Sequence, residues 1–230
     1  MFRIIAMYAK ANKFAYINPL EKITLCICCI IINGFSNNIL VPLINLIVFI
    51  ILHMLARNPV KYVMKLIIGI ATFSLISSIT FIFDYGISYS AILITKTLSS
   101  ALCLLFLSFT TPLNHILYYI NKVKFLEDIC DIIKSTERFI ISIEDESVII
   151  FNAIRARGGF ETKIDVVKNT GKLAGLLFVN TLRKWTEVKE AINSRCYNGH
   201  MAYIKGDYRF SNYRFAGILI YITMIFSILY

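Results

Sequence analysis

Acidic residues are scarce in the first half of this 230-residue chain. Residues 1–111 contain eight Lys and Arg but only Glu21 and Asp84 as acids, whereas the remaining 119 residues contain 16 basic and 12 acidic side chains. The chain is 57% hydrophobic and has a mean hydropathy of +0.68. A long, weakly charged segment of this kind is typical of lipid-embedded protein. The composition therefore excludes a secreted soluble domain, a disordered chain and a compact soluble enzyme.

The sequence also lacks the patterns of a nucleotide-binding or metal-binding protein. It has no Gly-x-x-x-x-Gly-Lys-Ser/Thr phosphate loop, so the chain itself is not expected to hydrolyse ATP. The six cysteines do not form two pairs with zinc-ligand spacing, and we interpret them as small apolar residues. His53, His115 and His200 share no spacing, and each is predicted to be structural. We therefore predict no catalytic residue, no metal site and no cofactor in this chain.

Five apolar stretches are candidates for membrane-spanning helices. In chain order they are Ile23–Phe35 (extendable to Leu20), Ile39–Leu55, Val63–Phe83, Ala91–Phe109 and Phe215–Tyr230. A hydrocarbon core of about 30 Å requires about 20 helical residues, which the first four stretches reach with their flanks. The fifth is short and is expected to be completed by aromatic flanks. The sequence therefore predicts an all-α membrane protein with about five transmembrane helices.

The turns between these stretches differ in charge, which predicts an orientation. The Arg57–Lys65 turn contains three basic residues, whereas the turns before and after it contain only Asp84. Because Lys and Arg accumulate on the cytoplasmic side, the N-terminus and the Arg57–Lys65 turn are expected to be inside the cell. The expected organisation is a four-helix membrane domain over 1–111, a cytoplasmic domain over 112–214 and a last transmembrane helix over 215–230, all in the cell membrane.

The predicted cytoplasmic domain carries two amphipathic helical patterns. Apolar residues recur at steps of three and four from Phe125 to Ile154, and Gly158-Gly159 is expected to end that helix. A second stripe runs from about Leu173 to Tyr197, before Asn198-Gly199. Long amphipathic helices beside a membrane domain are typical of a cytosolic platform or of packing at the lipid interface.

Each stripe ends on an arginine in a similar local sequence. The two segments that align are Ala153-Ile154-Arg155-Ala156-Arg157-Gly158 and Ala191-Ile192-Asn193-Ser194-Arg195-Cys196. Residues three and four apart share a helix face, so Arg157 and Arg195 occupy positions where the stripe would place an aliphatic residue. A guanidinium with small neighbours suits docking against a carboxylate. A plain helix-end role is equally open, because cations are favoured at helix C-termini.

Several short motifs follow one another along most of the chain. They are Asn18-Pro19-Leu20-Glu21-Lys22, Arg57-Asn58-Pro59, Thr111-Pro112, Glu137-Arg138-Phe139, Asp145-Glu146, Ala156-Arg157-Gly158 and Ser194-Arg195-Cys196-Tyr197-Asn198-Gly199-His200. In these motifs and their order the sequence resembles the transmembrane T component of energy-coupling-factor (ECF) transporters, within the CbiQ-type cobalt and nickel group. It departs from the family pattern at Ser194, Cys196 and Asn198.

The resemblance implies a non-catalytic subunit of an ATP-driven importer. Two coupling helices ending in Arg157 and Arg195 would dock on two ABC ATPase subunits, and those partners would bind ATP and Mg²⁺. The implied docking residues are Ala156, Arg157, Gly158, Ser194, Arg195 and Cys196, supported by Ala153, Ala191, Tyr197 and Gly199. The membrane helices would hold a substrate-binding S component that sets the ion, cobalt or nickel. Lys96, inside the fourth apolar stretch, is a candidate contact for that partner.

A polytopic membrane enzyme is the main alternative. Glu127, Asp128 and Asp131 have a spacing that could hold Mg²⁺ and a diphosphate substrate. A second acidic segment facing the first would be expected, but Glu144–Glu146 lies on the same predicted helix, which disfavours this alternative. The net charge of +10 does not favour a nucleic-acid partner, because anionic lipid headgroups explain it and the basic residues of the second half are interleaved with acids.

Overall fold

The computed structural model describes residues 2–196, 203, 208 and 211–229. Within these residues the chain forms eight α-helices and two short 3₁₀ helices, Lys13–Tyr16 and Lys124–Leu126, so the all-α prediction is confirmed. The α-helices are α1 (Phe2–Ala11), α2 (Pro19–Phe35), α3 (Leu40–Leu55), α4 (Val60–Thr110), α5 (Leu113–Ile120), α6 (Glu127–Ala156), α7 (Lys163–Asn193) and α8 (Asn212–Leu229). The chain divides into two compact units, one formed by residues 3–116 and 205–230 and the other by residues 117–204.

The first unit is a helical bundle in which α2 and α3 pack against α4, and α2 also packs against α8. Its core combines small and aromatic side chains that let the helices approach closely: Cys26, Cys29, Phe49, Ala56, Leu102, Cys103 and Phe106. The three cysteines of this core are free and buried. They therefore pack as small apolar residues, as the sequence interpretation predicts.

Helix α4 is one stretch of 51 residues that folds back on itself. Gly86 adopts φ +82° and ψ 172°, outside the helical region, and Ser90 Oγ donates a hydrogen bond to the Ser78 carbonyl at 3.3 Å. Twelve residues of straight helix would span about 18 Å. The bond therefore shows that the chain reverses at Gly86, where a positive φ costs glycine little. The predicted stretches Val63–Phe83 and Ala91–Phe109 are the two arms of α4.

The helices differ in how well they match the length of a membrane crossing. Among the residues that the structure describes, only α4 is both long and apolar enough to cross a membrane. Leu40–Leu55 and Asn212–Ile228 are apolar but shorter. Each arm of α4 has about 25 residues and a length of about 37 Å, more than the hydrocarbon core of about 30 Å. Apart from Ile39, which caps α3, the described residues of the five predicted stretches fall on helices. The number of crossings stays a prediction.

Buried polar side chains link the helices of the first unit. Asn45 on α3 donates to Asn33 Oδ1 on α2 at 2.8 Å, and Asn33 donates to Ser99 Oγ on α4 at 2.9 Å. Tyr221 on α8 donates its hydroxyl to Asn45 Oδ1 at 2.6 Å. Four helices therefore share one continuous hydrogen-bond network. In an apolar surrounding such bonds fix which helix faces meet.

In the second unit, α6 and α7 form an antiparallel hairpin. Asn169 donates to the Gly159 carbonyl, whereas Lys184, farther along α7, reaches back to Ser142 Oγ at 3.1 Å. The later residue on α7 therefore contacts the earlier residue of the preceding segment. The two helices therefore run in opposite directions from a turn at about Arg157–Thr162.

The helix boundaries of this hairpin correct the sequence prediction. Helix α7 begins at Lys163 rather than at about Leu173, because Thr162 caps its N-terminus and its hydroxyl oxygen accepts from the Asp165 amide at 3.1 Å. It ends at Asn193, four residues before the predicted Tyr197. Helix α6 begins at Glu127 rather than Phe125, since a 3₁₀ turn precedes it. The apolar stripe therefore predicts that each helix is present but not where it begins.

Candidate functional site

Helix α6 ends directly at the first arginine of the aligned segments. Arg157 is the C-cap residue, and its amide bonds to the Ile154 carbonyl at 3.2 Å. Gly158 follows with φ +70°, and the Gly159 amide returns to the Ile154 carbonyl at 3.1 Å. A Cβ on Gly159 would lie 2.9 Å from that carbonyl oxygen. The two glycines therefore allow a tight left-handed helix ending that leaves Arg157 at the tip.

Helix α7 ends in the same way at the second arginine. The Arg195 amide bonds to the Ile192 carbonyl at 3.1 Å, and the Cys196 amide bonds to the Asn193 carbonyl at 3.1 Å. Cys196 has φ +55°, the left-handed region that Gly158 occupies in the first ending. The aligned sequences therefore adopt equivalent backbone structures, although cysteine replaces glycine. The predicted supporting residues Tyr197 and Gly199, together with Asn198 and His200, lie outside the described residues.

Both arginines are exposed, as are their small neighbours Ala153, Ala156, Ala191, Ser194 and Cys196. In the part of the chain that the structure describes, neither guanidinium forms an ion pair or a side-chain hydrogen bond. Gly158 is half-buried beneath its turn. The two tips therefore present cationic forks whose donors are free for a partner.

The antiparallel hairpin places the two tips far apart. Arg157 is two residues before Gly159, whose carbonyl bonds to Asn169, so it lies about level with the second turn of α7, whereas Arg195 is two residues beyond the end of that helix at Asn193. The helix rises by about 25 residues between these two levels, which gives a separation of about 37 Å along the axis at 1.5 Å per residue. The structure does not bring the predicted docking residues together into one site. It produces two equivalent tips at opposite ends of one element.

The middle of the hairpin is held by one carboxylate. Glu146 on α6 accepts from Lys184 Nζ at 2.8 Å and from Asn180 Nδ2 at 3.0 Å, both on α7. The hydrogen bond and charge of Lys184 lower the pKa of Glu146. Both contacts come from one side chain, so Glu146 fixes the axial register of α7 on α6 at the centre of the hairpin.

The hairpin leaves large apolar side chains uncovered. No side chain of α7 is fully buried, and Phe178 and Trp185 are 66% and 54% exposed. Val167 at its beginning is 75% exposed. A contiguous apolar face of this kind marks a surface that meets another protein or lipid.

The motif Asn18–Lys22 forms buried polar contacts between distant segments. Asn18 caps α2, and Glu21, only 1% exposed, accepts from Arg214 Nε and from the Ser211 amide at 3.1 Å each. Lys22 donates to the Phe14 carbonyl at 2.7 Å and to the Thr110 carbonyl at 2.8 Å. The motif therefore joins the beginning of α2 to the beginning of α8 and the end of α4. The sequence does not predict these contacts; the only indication is that charged residues occur in an apolar segment.

The Arg57-Asn58-Pro59 turn is held by a second polar chain. Asn12 donates to Asn58 Oδ1 at 2.8 Å, and Asn58 Nδ2 lies 2.7 Å from His53 Nδ1. His53 Nε2 lies 3.1 Å from the Leu102 carbonyl. This geometry requires the neutral tautomer with the proton on Nε2, and it leaves no lone pair of His53 for a metal. His53 therefore joins α3 to this turn and to the second arm of α4.

Two other predicted residues, His115 and Lys96, belong to the first unit. His115 packs edge-on against the Tyr208 ring at 4.7 Å, and burial, with Lys22 and Lys10 nearby, lowers its pKa. Lys96 donates to the Gly34 carbonyl at 3.2 Å, near the end of α2. Its ammonium therefore binds an unsatisfied carbonyl of the last turn of α2 within the same bundle.

A family model described as CbiQ, cobalt transport protein, matches residues 10–204. The chain belongs to the CbiQ cobalt transport protein family. An uncharacterized protein of Methanocaldococcus jannaschii is 25% identical over 217 residues, which cover 85% of this chain and 81% of that protein. A putative fused cobalt transport protein CbiMQ of Methanocorpusculum labreanum is 26% identical over 144 residues, which cover 63% of this chain and 24% of that protein.

The acidic residues at the beginning of α6 were the basis of the enzyme alternative. Asp131 is 6% exposed and accepts from the Tyr203 hydroxyl at 2.8 Å. No three His, Cys, Asp or Glu side chains converge on a potential metal position in the described ranges. Nothing in the geometry supports the diphosphate-enzyme alternative built on Glu127, Asp128 and Asp131, and the family is one of membrane transport components.

Proposed function

We propose that this CbiQ chain is the energy-coupling transmembrane subunit of an ECF-type importer. It would transmit the motion of two ABC ATPase subunits to a membrane-embedded S component, which binds the cobalt or nickel ion. The observation that carries the proposal is the pair of equivalent arginine tips at opposite ends of the α6–α7 hairpin. Two separated docking points on one element are what a pair of ATPases needs to move it.

The chemistry of the tips favours acidic partners. A guanidinium presents five donors in a planar fork and binds a carboxylate with two parallel hydrogen bonds. Hydrogen bonds to charged groups contribute about 1.5–3 kcal/mol each. Small residues beside Arg157 and Arg195 allow a partner's backbone to approach closely. The proposed docking site thus consists of Ala156, Arg157 and Gly158 at one tip and Ser194, Arg195 and Cys196 at the other.

Coupling also requires that the hairpin move as one body. The Glu146 contacts with Lys184 and Asn180 lie midway between the tips and oppose sliding of α7 along α6. A force applied at one tip would therefore reach the rest of the hairpin. Differential contacts of the tips in the open and closed ATPase pair would then shift the hairpin between two positions.

The remaining parts of the proposal concern the membrane. About five helices would cross it, within 1–111 and 215–230, with the N-terminus and residues 112–214 on the cytoplasmic side. ATP and Mg²⁺ would be bound by the ATPase partners and not by this chain. Lys96 would contact the S component only after its ammonium releases the Gly34 carbonyl.

The deciding experiment removes the two guanidinium groups. Truncating one partner of a desolvated charge pair typically costs about 2–5 kcal/mol. Arg157→Ala or Arg195→Ala should therefore weaken co-purification of the ATPase subunits, and the double variant should abolish ion uptake while membrane insertion stays normal. Lys at either position should rescue poorly, because an ammonium cannot form the bidentate fork.

Arg155→Ala provides the matched control. Arg155 is exposed and only two residues from Arg157, so it projects from a different face of the same helix end. Its removal should leave ATPase binding and uptake unchanged. The proposal is wrong if the double variant recovers the ATPases as well as the wild type, or if Arg155→Ala is equally damaging.

A further inference from the structure

An apolar groove opens on the first unit between α3 and the first arm of α4, with the second arm of α4 as its floor. Its volume is about 570 Å³, within the range of about 300–1,000 Å³ that small-ligand sites occupy. The walls include Leu46 and Ile50 on one side and Met64 and Ile67 on the other, and Leu98 lies in the floor. From Leu46 to Arg57 the groove extends about 16 Å along α3.

One end of the groove is cationic. Arg57 lines it and adopts φ +51°, a left-handed conformation that is unfavourable for a residue other than glycine. The next residue, Asn58, is buried and hydrogen-bonded to His53, which also lines the groove. The turn is therefore held in a strained conformation at which the guanidinium borders the apolar walls.

Among the described residues that line the groove, none is acidic. Lys61 and Lys65 follow Arg57 at intervals of four residues, and both are exposed. No Asp or Glu occurs between Lys22 and Phe83, and Glu21 is buried against Arg214. Only Arg57 of these three lines the groove, and Lys61 and Lys65 lie on the neighbouring surface of α4. The site therefore combines an apolar channel with one cationic group at its end.

We propose that this groove binds an anionic membrane lipid, with one hydrocarbon chain between α3 and α4 and the phosphate at Arg57. A single anionic lipid supplies both the chain and the negative charge that the groove lacks, whereas an apolar helix of a partner would fill the walls and leave the guanidinium unmatched. Basic pockets between membrane helices bind lipid headgroups for this reason. The proposal depends on the membrane location of the family and not on the coupling role.

The test uses the full chain purified in detergent and measured by native mass spectrometry. Phosphatidylglycerol and phosphatidylcholine with identical acyl chains are added in turn, and the lipid-bound fractions are compared. Phosphatidylglycerol should be preferred, and Arg57→Gly should reduce that preference about fivefold, because a basic residue near the lipid surface contributes about 1 kcal/mol. Glycine accepts the positive φ, so this variant should unfold no earlier than the wild type. Arg57→Lys should retain much of the preference.

Lys13→Gln is the matched control, since it removes one exposed charge from the same unit without altering the groove. It should keep the wild-type preference for phosphatidylglycerol. The proposal is overturned if Arg57→Gly binds both lipids as the wild type does, or if Lys13→Gln loses the preference to the same extent, which would indicate attraction by net charge alone. It is also overturned if neither lipid is retained and an S component protects the groove instead.

Discussion

Substitutions at the equivalent backbone position of the two helix endings are expected to change stability in opposite directions. Gly158 and Cys196 both follow the tip arginine and both have a positive φ, +70° and +55°. A side chain in this region costs about 1–2 kcal/mol, and part of that cost is offset because alanine loses less backbone entropy than glycine on folding. Gly158→Ala should therefore destabilise the first ending by about 1 kcal/mol. The extra Cβ would lie 2.9 Å from Glu161 Oε1, which can rotate away, so the backbone conformation dominates the cost.

Cys196→Gly should have the reverse effect. Removing the side chain relieves the left-handed conformation, and the larger entropy loss of glycine returns about 0.5–1 kcal/mol of that gain. A net stabilisation of about 0.5–1 kcal/mol is expected. If ATPases bind the tips only in this conformation, affinity follows the fraction of molecules whose helix ending adopts it, so Gly158→Ala should weaken docking and Cys196→Gly should not.

Gly175→Ala tests whether the backbone conformation is the cause. Gly175 lies inside α7, and a Cβ there would meet nothing within 4 Å, so alanine should stabilise the helix by about 0.8–1 kcal/mol. Thermal unfolding in detergent and titration of immobilised ATPases would give stability and affinity for all three variants. The reasoning is refuted if Gly158→Ala and Gly175→Ala shift stability in the same direction, or if Cys196→Gly lowers it.

Two further predictions concern contacts within each unit. Asn58→Ala removes the donor to His53 Nδ1 and should lower the free energy of unfolding by about 2–3 kcal/mol, because a buried acceptor is left unsatisfied; the exposed Asn37→Ala should leave the melting temperature unchanged. Lys184 lowers the pKa of Glu146 below its ordinary value of 4.5, so their contact stabilises the hairpin above that pH and the stability is lost as the pH falls further. Melting curves followed at 222 nm between about pH 6 and pH 3 would check this, and Lys184→Met should flatten the pH dependence.

Periodicity predicted the helical parts of the chain well, because each long helix keeps an apolar stripe or an apolar core of sufficient length. The two arms of α4 and their reversal at Gly86 follow from two apolar stretches that flank a short polar turn. The stripes ending at Arg157 and Arg195 likewise predicted where α6 and α7 stop, to within a few residues. These features are local, so the sequence of each segment carries the information.

The contacts between distant segments could not be predicted. Glu21 bonds to Arg214, 193 residues away, and Lys22 bonds to the Thr110 carbonyl, 88 residues away; no local pattern specifies such a pair. Helix α1 was not predicted, because its ten residues are too few for an apolar stripe that would distinguish a helix from a loop. The positive φ of Cys196 was hidden because cysteine gives no indication of a left-handed turn, although its alignment with Gly158 was the available signal.

Because charge is scarce in the first unit, its few polar side chains have a large influence on how the helices pack. Apolar helices surrounded by lipid gain little from burying apolar faces against each other, since lipid tails are equally apolar. A buried charge in such a bundle is costly unless it is fully paired, and Glu21 and Lys22 are both paired with groups on other segments. Together with the Asn33–Asn45–Tyr221 network, they fix contacts that packing alone leaves interchangeable. The few polar side chains of the apolar half therefore determine how its helices are arranged.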